Sequence, residues 1–233
     1  MKIDKINIRK FKAVQTHTEI TPAAVINESE AVTESVTPVL FRSSAGMKNI
    51  LVAILFRGDD RETVETNISD LTALMLEPRV LTIEDRPFLY HVALTGFDQE
   101  DLHPAGTFTK VTYNFVGYAC GTRKKLDFNQ TLKAEWKIKG NIPTSAVVTI
   151  TPTLSIQAAT LTGFSDDPIT IRNLKKDQAV ILDGEAGTVT EAGENKFKDV
   201  DLWAFPRLLP GMQSFGCSHN GLKIHVEYNP RYL

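Results

Sequence analysis

Short runs of alternating apolar and polar residues recur along most of this chain, and this period of two limits the fold more than any other feature. Residues 5–14 alternate in this way, which indicates a half-buried strand. Residues 49–57 are almost continuously apolar, as expected of a strand that is buried on both faces. The polar stretch 15–48 between them predicts long loops with one or two edge strands. The chain is therefore predicted to be mainly β.

One segment follows the helical period instead. A predicted helix of about four turns carries a single apolar stripe, formed by Val64, Ile68, Leu71 and Met75. Asp59, followed three residues later by Glu62, has the spacing of a capping box, so Asp59 is the predicted N-cap. Pro78 ends the helix, because the residue before a proline avoids the helical conformation. We expect the stripe to pack on the sheet of its own domain, and contact with a neighbouring subunit is the alternative.

A β-hairpin is predicted directly after the helix. Residues 79–83 and 88–97 have the pattern of its two strands, and the acidic segment 84–87 with its proline is typical of the turn. A long aromatic strand follows at 107–120 and leads into a basic turn at 123–125. Helix and hairpin together make the first part of the chain a β-rich domain with one α-helix.

The sequence changes character near residue 132. Beyond it the helical period is absent, and short apolar runs alternate with turn signals such as Asp183-Gly184 and Pro210-Gly211. This pattern is typical of an antiparallel sandwich. We therefore predict two domains, 1–132 and 133–221, and a closing strand within 222–233.

Composition excludes several classes of function. The 233 residues include 26 basic and 28 acidic ones, for a net charge of −2, whereas a protein held on DNA by phosphate contacts needs a concentrated positive face. No apolar run approaches the ~18 residues of a membrane span, and the first ten residues lack the apolar core of a signal peptide, so neither is expected. Cys120 and Cys217 are too isolated in sequence to predict a disulfide framework or a zinc finger.

Catalytic and metal-binding patterns are also scarce. The sequence contains no Gly-rich phosphate loop, nucleophile elbow or HExxH motif. His219 and His225 would lie ~20 Å apart on one strand, which is too far to share a metal ion. Asp199 and Asp201 would share one strand face and could form a weak calcium site, but a solvated edge is the favoured interpretation. We predict no catalytic residue, no cofactor and no metal.

Two other features each permit two interpretations. Trp136 and Trp203 could be platforms that stack on sugar rings, although packing in the core is favoured for both. Arg123, Lys124 and Lys125 form either a solvated turn or a contact with an acidic partner.

Four segments in a fixed order carry a resemblance to a known family: Asp70-Leu71-Thr72-Ala73-Leu74-Met75, the segment 77–96, Phe205-Pro206-Arg207-Leu208-Leu209-Pro210-Gly211 and the ending Tyr228-Asn229-Pro230-Arg231-Tyr232-Leu233. In this order and spacing they resemble the distal tail proteins of bacteriophages with long non-contractile tails, the siphoviruses. The resemblance extends from about residue 2 to the end of the chain.

The resemblance implies an N-terminal ring-forming domain and a C-terminal galectin-like β-sandwich, with the closing strand 222–233 packing back on the first domain. It implies a homo-hexameric ring in the virion tail tip, assembled in the host cytoplasm. Its partners would be the major tail tube protein, the tape measure protein and the tail-associated adsorption protein. DNA would pass through the channel without specific binding, and no membrane would be bound.

Candidate contact residues follow from this arrangement. The helix and the hairpin are the predicted subunit interface, through five polar residues: Glu65, Asn67, Glu84, Asp85 and Arg86. The basic turn, Arg123, Lys124 and Lys125, is the predicted partner contact. A carbohydrate-binding sandwich that recognises host cell-wall polysaccharide is the alternative function, and a cell-wall enzyme is a third, weakened by the lack of an acid–base pair.

Overall fold

The structure is a computed structural model that describes residues 1–30, 39–84 and 86–233. The chain forms two compact units, residues 1–120 together with Leu233, and residues 121–232. Both units are built almost entirely from antiparallel strands. The prediction of a mainly β fold with an α-helix and a sandwich is confirmed.

The first unit contains nine strands, a 3-10 turn and an α-helix within the described ranges. The strands are β1 (Lys2–Ile3), β2 (Ile6–Asn7), β3 (Ala13–Thr21), β4 (Val25–Glu30), β5 (Val39–Ala45), β6 (Lys48–Arg57), β7 (Arg79–Thr82), β8 (Leu89–Asp101) and β9 (Phe108–Cys120). The 3-10 turn is Ile8–Phe11 and the helix is α1 (Arg61–Leu74). The main sheet has the order β2-β1-β7-β8-β9-β6-β3.

The helix covers the middle of this sheet. Its contacts are with β6 and β9 and with the 3-10 turn. The four residues of the predicted stripe are all buried: Val64, Ile68, Leu71 and Met75. The hydroxyls of Thr72 on α1 and Tyr113 on β9 lie 2.9 Å apart, which adds a polar link to the apolar contact. The stripe therefore packs within its own unit.

The start of the helix differs from the prediction by one residue. Asp60, and not Asp59, is the N-cap, because its carboxylate accepts a hydrogen bond from the backbone N–H of Thr63 at 2.7 Å. Asp59 instead lies 3.2 Å from the ammonium of Lys12. Asp59 and Asp60 can both act as an N-cap, and the capping-box spacing to Glu62 led to the incorrect prediction of Asp59.

The predicted strand at 5–14 is wrong. The 3-10 turn Ile8–Phe11 interrupts it, with Ile8 and Phe11 buried three positions apart. Asn7 caps the turn by accepting a hydrogen bond from the N–H of Arg9, and Lys12 leaves it with a φ of 50°. A period of three over four residues looks like alternation in a short window, so the sequence pattern was ambiguous here.

The stretch 15–48 contains more strand than predicted. Strand β3 begins before it and pairs with β6, and β4 pairs with β5 as a separate two-stranded ribbon. The predicted hairpin after the helix is confirmed, since β7 pairs with β8 from Arg79 opposite Val92 to Thr82 opposite Leu89. The long strand predicted at 107–120 is β9.

The second unit contains thirteen strands within the described residues. They are β10 (Lys124–Asn129), β11 (Lys133–Ile138), β12 (Thr144–Pro152), β13 (Ile156–Thr162), β14 (Ile169–Leu174), β15 (Val180–Asp183), β16 (Thr188–Glu191), β17 (Glu194–Asn195), β18 (Val200–Asp201), β19 (Arg207–Leu208), β20 (Gly211–Cys217), β21 (Leu222–Tyr228) and β22 (Arg231–Tyr232). One sheet has the order β10-β21-β12-β15-β16-β17, and the other has the order β11-β20-β13-β14-β18.

The two sheets of this unit share one apolar core. Every second residue of β12 points inwards and is buried, as are the matching residues of β21. Aromatic rings fill the space beside them, with the centroids of Phe164 and Phe215 4.9 Å apart. This alternation explains why the sandwich was recognisable from the sequence.

Of the predicted closing segment 222–233, β21 lies inside the second unit, whereas Leu233 belongs to the first unit. Strand β21 pairs on one side with β10, from Lys124 opposite Tyr228, and on the other side with β12. Because β10 is bound to β21, the unit begins at residue 121, before the predicted boundary at 132.

Candidate interaction surfaces

A cleft of about 530 Å³ lies on the first unit, beside the helix. Residues from the outer flank of α1 and the far part of β8 form its walls: Glu65, Ile68, Ser69, Thr72, Ala73, Leu76, Phe97 and Gln99. Leu76 is 77% exposed and Phe97 is 46% exposed. We call this surface the α1–β8 groove. An apolar surface left in water at the edge of a helix is a typical site for contact with another protein.

Charged residues border one end of the α1–β8 groove. The guanidinium of Arg61 lies 3.1 Å from the carboxylate of Asp101 and 3.6 Å from that of Glu65. Glu62 is exposed in the first turn of the helix, three positions before Glu65. Three carboxylates against one guanidinium make this end of the groove acidic.

The predicted interface residues fall on different surfaces of the first unit. Glu65 lines the α1–β8 groove, whereas Asn67 is half-buried elsewhere on the helix. Glu84 lies 2.9 Å from the amino group of Met1, and this hydrogen bond lowers the pKa of Glu84. Arg86 is exposed. Asp85 lies outside the described residues.

Neither Leu76 nor Phe97 was predicted from the sequence to line an interaction surface. Leu76 lies beyond the end of the helix, so its exposure does not follow from the apolar stripe. In the sequence Phe97 is out of phase with the buried Tyr90 and Val92, and a shift in the register of β8 between Leu94 and Gly96 places it opposite Tyr113, with 5.7 Å between the ring centroids. Residues that break a pattern at the end of an element were the only signal of this groove.

The predicted basic turn is the start of a strand, which corrects its assignment as a turn. Lys124 and Lys125 belong to β10, and the basic side chains of Arg123 and Lys125 are engaged inside their own unit. Arg123 lies 3.3 Å from Glu185, and Lys125 lies 2.7 Å from Glu227. These two cations therefore have carboxylate partners within their own unit.

Glu227 is the centre of this charged network. Besides Lys125, it contacts Arg123 at 3.7 Å and His225 at 3.4 Å. The hydrogen bond from Lys125 is the main reason why the pKa of Glu227 is lowered. His225 also lies 2.8 Å from Asp127, and that hydrogen bond is the main reason why the pKa of His225 is raised.

The two tryptophans have different environments. Trp136 packs against the core, edge-on to Phe128 at 5.8 Å and tilted against Phe215 at 5.0 Å between ring centroids. The expectation of core packing is therefore correct for Trp136 and wrong for Trp203, which is 90% exposed. Trp203 lies in the loop between β18 and β19, where the apolar pattern of Leu202 to Phe205 resembles that of a buried segment.

The acidic pair Asp199 and Asp201, for which a solvated edge was favoured over a weak calcium site, lies beside cations of the protein. Asp199 lies 3.3 Å from the ammonium of Lys196, and Asp201 lies 2.9 Å from the guanidinium of Arg172. Lys196 is itself buried and also contacts Glu191 at 3.0 Å.

Within the described ranges, no cluster of three or more His, Cys, Asp or Glu side chains could hold a metal ion. The same ranges contain no helix with the length and apolarity to cross a bilayer.

Comparison with known proteins gives the fold a context. The family model of the C-terminal domain of siphovirus-type tail components (SPP1_Dit) matches residues 139–232. No curated protein has a sequence that matches this chain significantly.

Solved structures of phage proteins share the fold of the whole chain. The crystal structure of the SPP1 Dit protein, described as a paradigm of the hub adsorption apparatus in phages that infect Gram-positive bacteria, has a TM-score of 0.72 at 13% identity. That alignment covers 100% of this chain and 98% of that one. A chain of the phage P2 baseplate in its activated conformation with Ca has a TM-score of 0.59 at 12% identity, with 95% and 92% covered. The corresponding structure with Sr has a TM-score of 0.58 at 12% identity, with the same shares covered.

The chain is therefore a mainly β protein of two units that shares its fold with SPP1 Dit and with a chain of the phage P2 baseplate. Within that class, the predicted resemblance to the distal tail protein family of siphoviruses is confirmed. It holds at the level of sequence for residues 139–232 and at the level of fold for the whole chain.

Proposed function

We propose that this protein is a structural component of a phage tail tip, a distal tail protein that acts as an adaptor between the tail tube and the adsorption apparatus. The observation that carries the proposal is the similarity in fold to SPP1 Dit over the full chain, together with the family match in residues 139–232. A likeness limited to a sandwich would fit many functions. A likeness that includes both units and their order supports a role as a phage tail protein.

The finer proposal is a ring of six copies with a channel for DNA. The ring contacts the tail tube protein, the tape measure protein and the adsorption protein, and it belongs to the virion tail. The mild net charge of −2 per copy suits a channel wall that does not retain DNA. The role is structural, and no substrate is converted.

The proposal is tested by the mass and shape of the purified protein. Six copies of a 25.9 kDa chain have a mass of about 155 kDa, the value expected by light scattering, and negative-stain images should show rings with a central hole. Antibody labelling of tails assembled from the parent phage should mark the tip. A protein that remains monomeric at all concentrations and labels no part of the tail would refute the proposal.

A second candidate function is supported by Trp203. An indole that is 90% exposed can stack on the apolar face of a sugar ring, so the second unit could bind cell-wall polysaccharide. Pull-down on purified cell walls, with Trp203→Ala as the comparison, tests this. Equal retention of both proteins would exclude Trp203 as a sugar platform.

A further inference from the structure

The first unit carries two surfaces of different charge, and both lie next to its helix. The sheet order β8-β9-β6-β3 places β8 on one side of the strands that α1 covers and β3 on the other. The α1–β8 groove is on the β8 side. The 3-10 turn Ile8–Phe11 contacts α1 and joins β2, at one edge of the sheet, to β3, at the other edge.

The 3-10 turn is basic where the groove is acidic. Arg9 and Lys10 are exposed on it, and Lys12 follows directly. Of these three cations, only Lys12 forms an ion pair with a residue in the described ranges, with Asp59. Ile6, just before the turn, is 36% exposed and supplies an apolar group beside the charges.

The groove offers the matching features. Its apolar part is formed by Leu76 and Phe97, and its acidic end by Glu62 and Glu65, together with Asp101. Within one copy, Arg61 is the ion-pair partner of Glu65 and Asp101, and no ion pair in the described ranges joins these carboxylates to Arg9 or Lys10. Both surfaces are therefore open to a second copy.

We propose that the α1–β8 groove receives the basic 3-10 turn of a second copy of this chain. Arg9 and Lys10 of one copy then face Glu62 and Glu65 of the next. Because the groove of one copy binds the turn of another, a pair of copies still has one unoccupied groove and one unoccupied turn. Further copies can therefore add until the ring closes. The inference rests on the proposed function, since it names the contact by which a ring of copies forms.

The test is a charge reversal with rescue. Glu65→Lys and Lys10→Glu each place like charges across the contact and should raise the concentration needed for assembly about tenfold at low salt. The double variant Glu65→Lys/Lys10→Glu restores opposite charges and should assemble like the wild type. The matched control is Glu194→Lys, the same change on an exposed residue of the second unit, which should have no effect.

A second variant separates association from folding. Leu76→Ala removes an exposed apolar group, so it should leave the midpoint of thermal unfolding unchanged and still weaken assembly. Light scattering over a concentration series measures all variants. A wild-type ring that is insensitive to both charge reversals, or a double variant that fails to recover, overturns this inference alone. A wild-type protein that stays monomeric overturns the proposed ring and the inference with it.

Discussion

At the scale of single residues, the charged network around Glu227 shows what a basic sequence run can mean. Arg123 and Lys125 resemble a surface patch in sequence, but each is bound to a carboxylate on a neighbouring segment of the same unit. Exposed ion pairs of this kind contribute little to stability one by one. Their arrangement still makes the second unit sensitive to pH through His225.

The first prediction concerns the pH dependence of stability. Because Asp127 and Glu227 raise the pKa of His225 above its ordinary value of about 6.5, protonated His225 stabilises the folded state. This contribution is fully present below about pH 6.5 and is lost as the pH rises through the raised pKa. It should amount to less than about 1 kcal/mol, because 36% of the His225 side chain is exposed to solvent.

Denaturant unfolding of the wild type and of His225→Gln at about pH 6 and pH 9 checks this. Between these two pH values, the free energy of unfolding should fall less for His225→Gln than for the wild type. His219→Gln, which changes a histidine outside the network, is the control. Equal pH dependence in wild type and His225→Gln would contradict the prediction.

Residues of this kind mark the limit of the sequence analysis. The alternation that predicts a buried residue cannot distinguish Trp136, which packs on Phe128, from Trp203, which is exposed in a loop. Burial of a loop residue depends on the position of other elements, and periodicity contains no information about that. The contacts of Arg123 and Lys125 depend in the same way on the register of β10 with β21.

At the scale of elements, the helix α1 was the part best predicted from sequence. Its stripe Val64 to Met75 is buried as expected, since an apolar period of 3.6 sustained over four turns is specific to a helix with one buried face. The 3-10 turn at Ile8–Phe11 was missed because it is too short to establish a period. Strand β3 was partly missed because its buried and exposed residues are mixed with polar threonines.

The second prediction tests the helix cap. Asp60→Ala removes the acceptor for the N–H of Thr63 and should lower the unfolding midpoint of the first unit by about 2–4 °C. Asp59→Ala breaks only an exposed ion pair with Lys12 and should have a much smaller effect. Thermal unfolding of both variants measures the difference. Equal shifts in the unfolding midpoint for the two variants would contradict the assignment of Asp60 as the N-cap.

At the scale of the whole molecule, the sequence predicted two units and the order of their elements. What it could not locate was the start of the second unit. Strand β10 follows the long strand of the first unit without a linker rich in Gly or Pro, and only its pairing with β21, nearly 100 residues later, shows where it belongs. Long-range pairing of this kind has no local signature.

The third prediction follows from that pairing. A fragment of residues 121–232 contains both sheets and should unfold cooperatively. A fragment of residues 133–221 lacks β10 and β21, and with β21 it loses four buried residues, Leu222, Ile224, Val226 and Tyr228. It should show no cooperative transition. Calorimetry compares the two fragments, and cooperative unfolding of 133–221 would show that β21 is dispensable.

Because Trp136 and Trp203 have different environments, intrinsic tryptophan fluorescence can report on binding to the second unit. An indole in water fluoresces at longer wavelength and is open to collisional quenchers, whereas one that is packed against phenylalanine rings is shielded. Iodide should therefore quench the fluorescence of Trp203 and leave that of Trp136 nearly unchanged. Any molecule that binds the loop between β18 and β19 will be detected because it protects that emission.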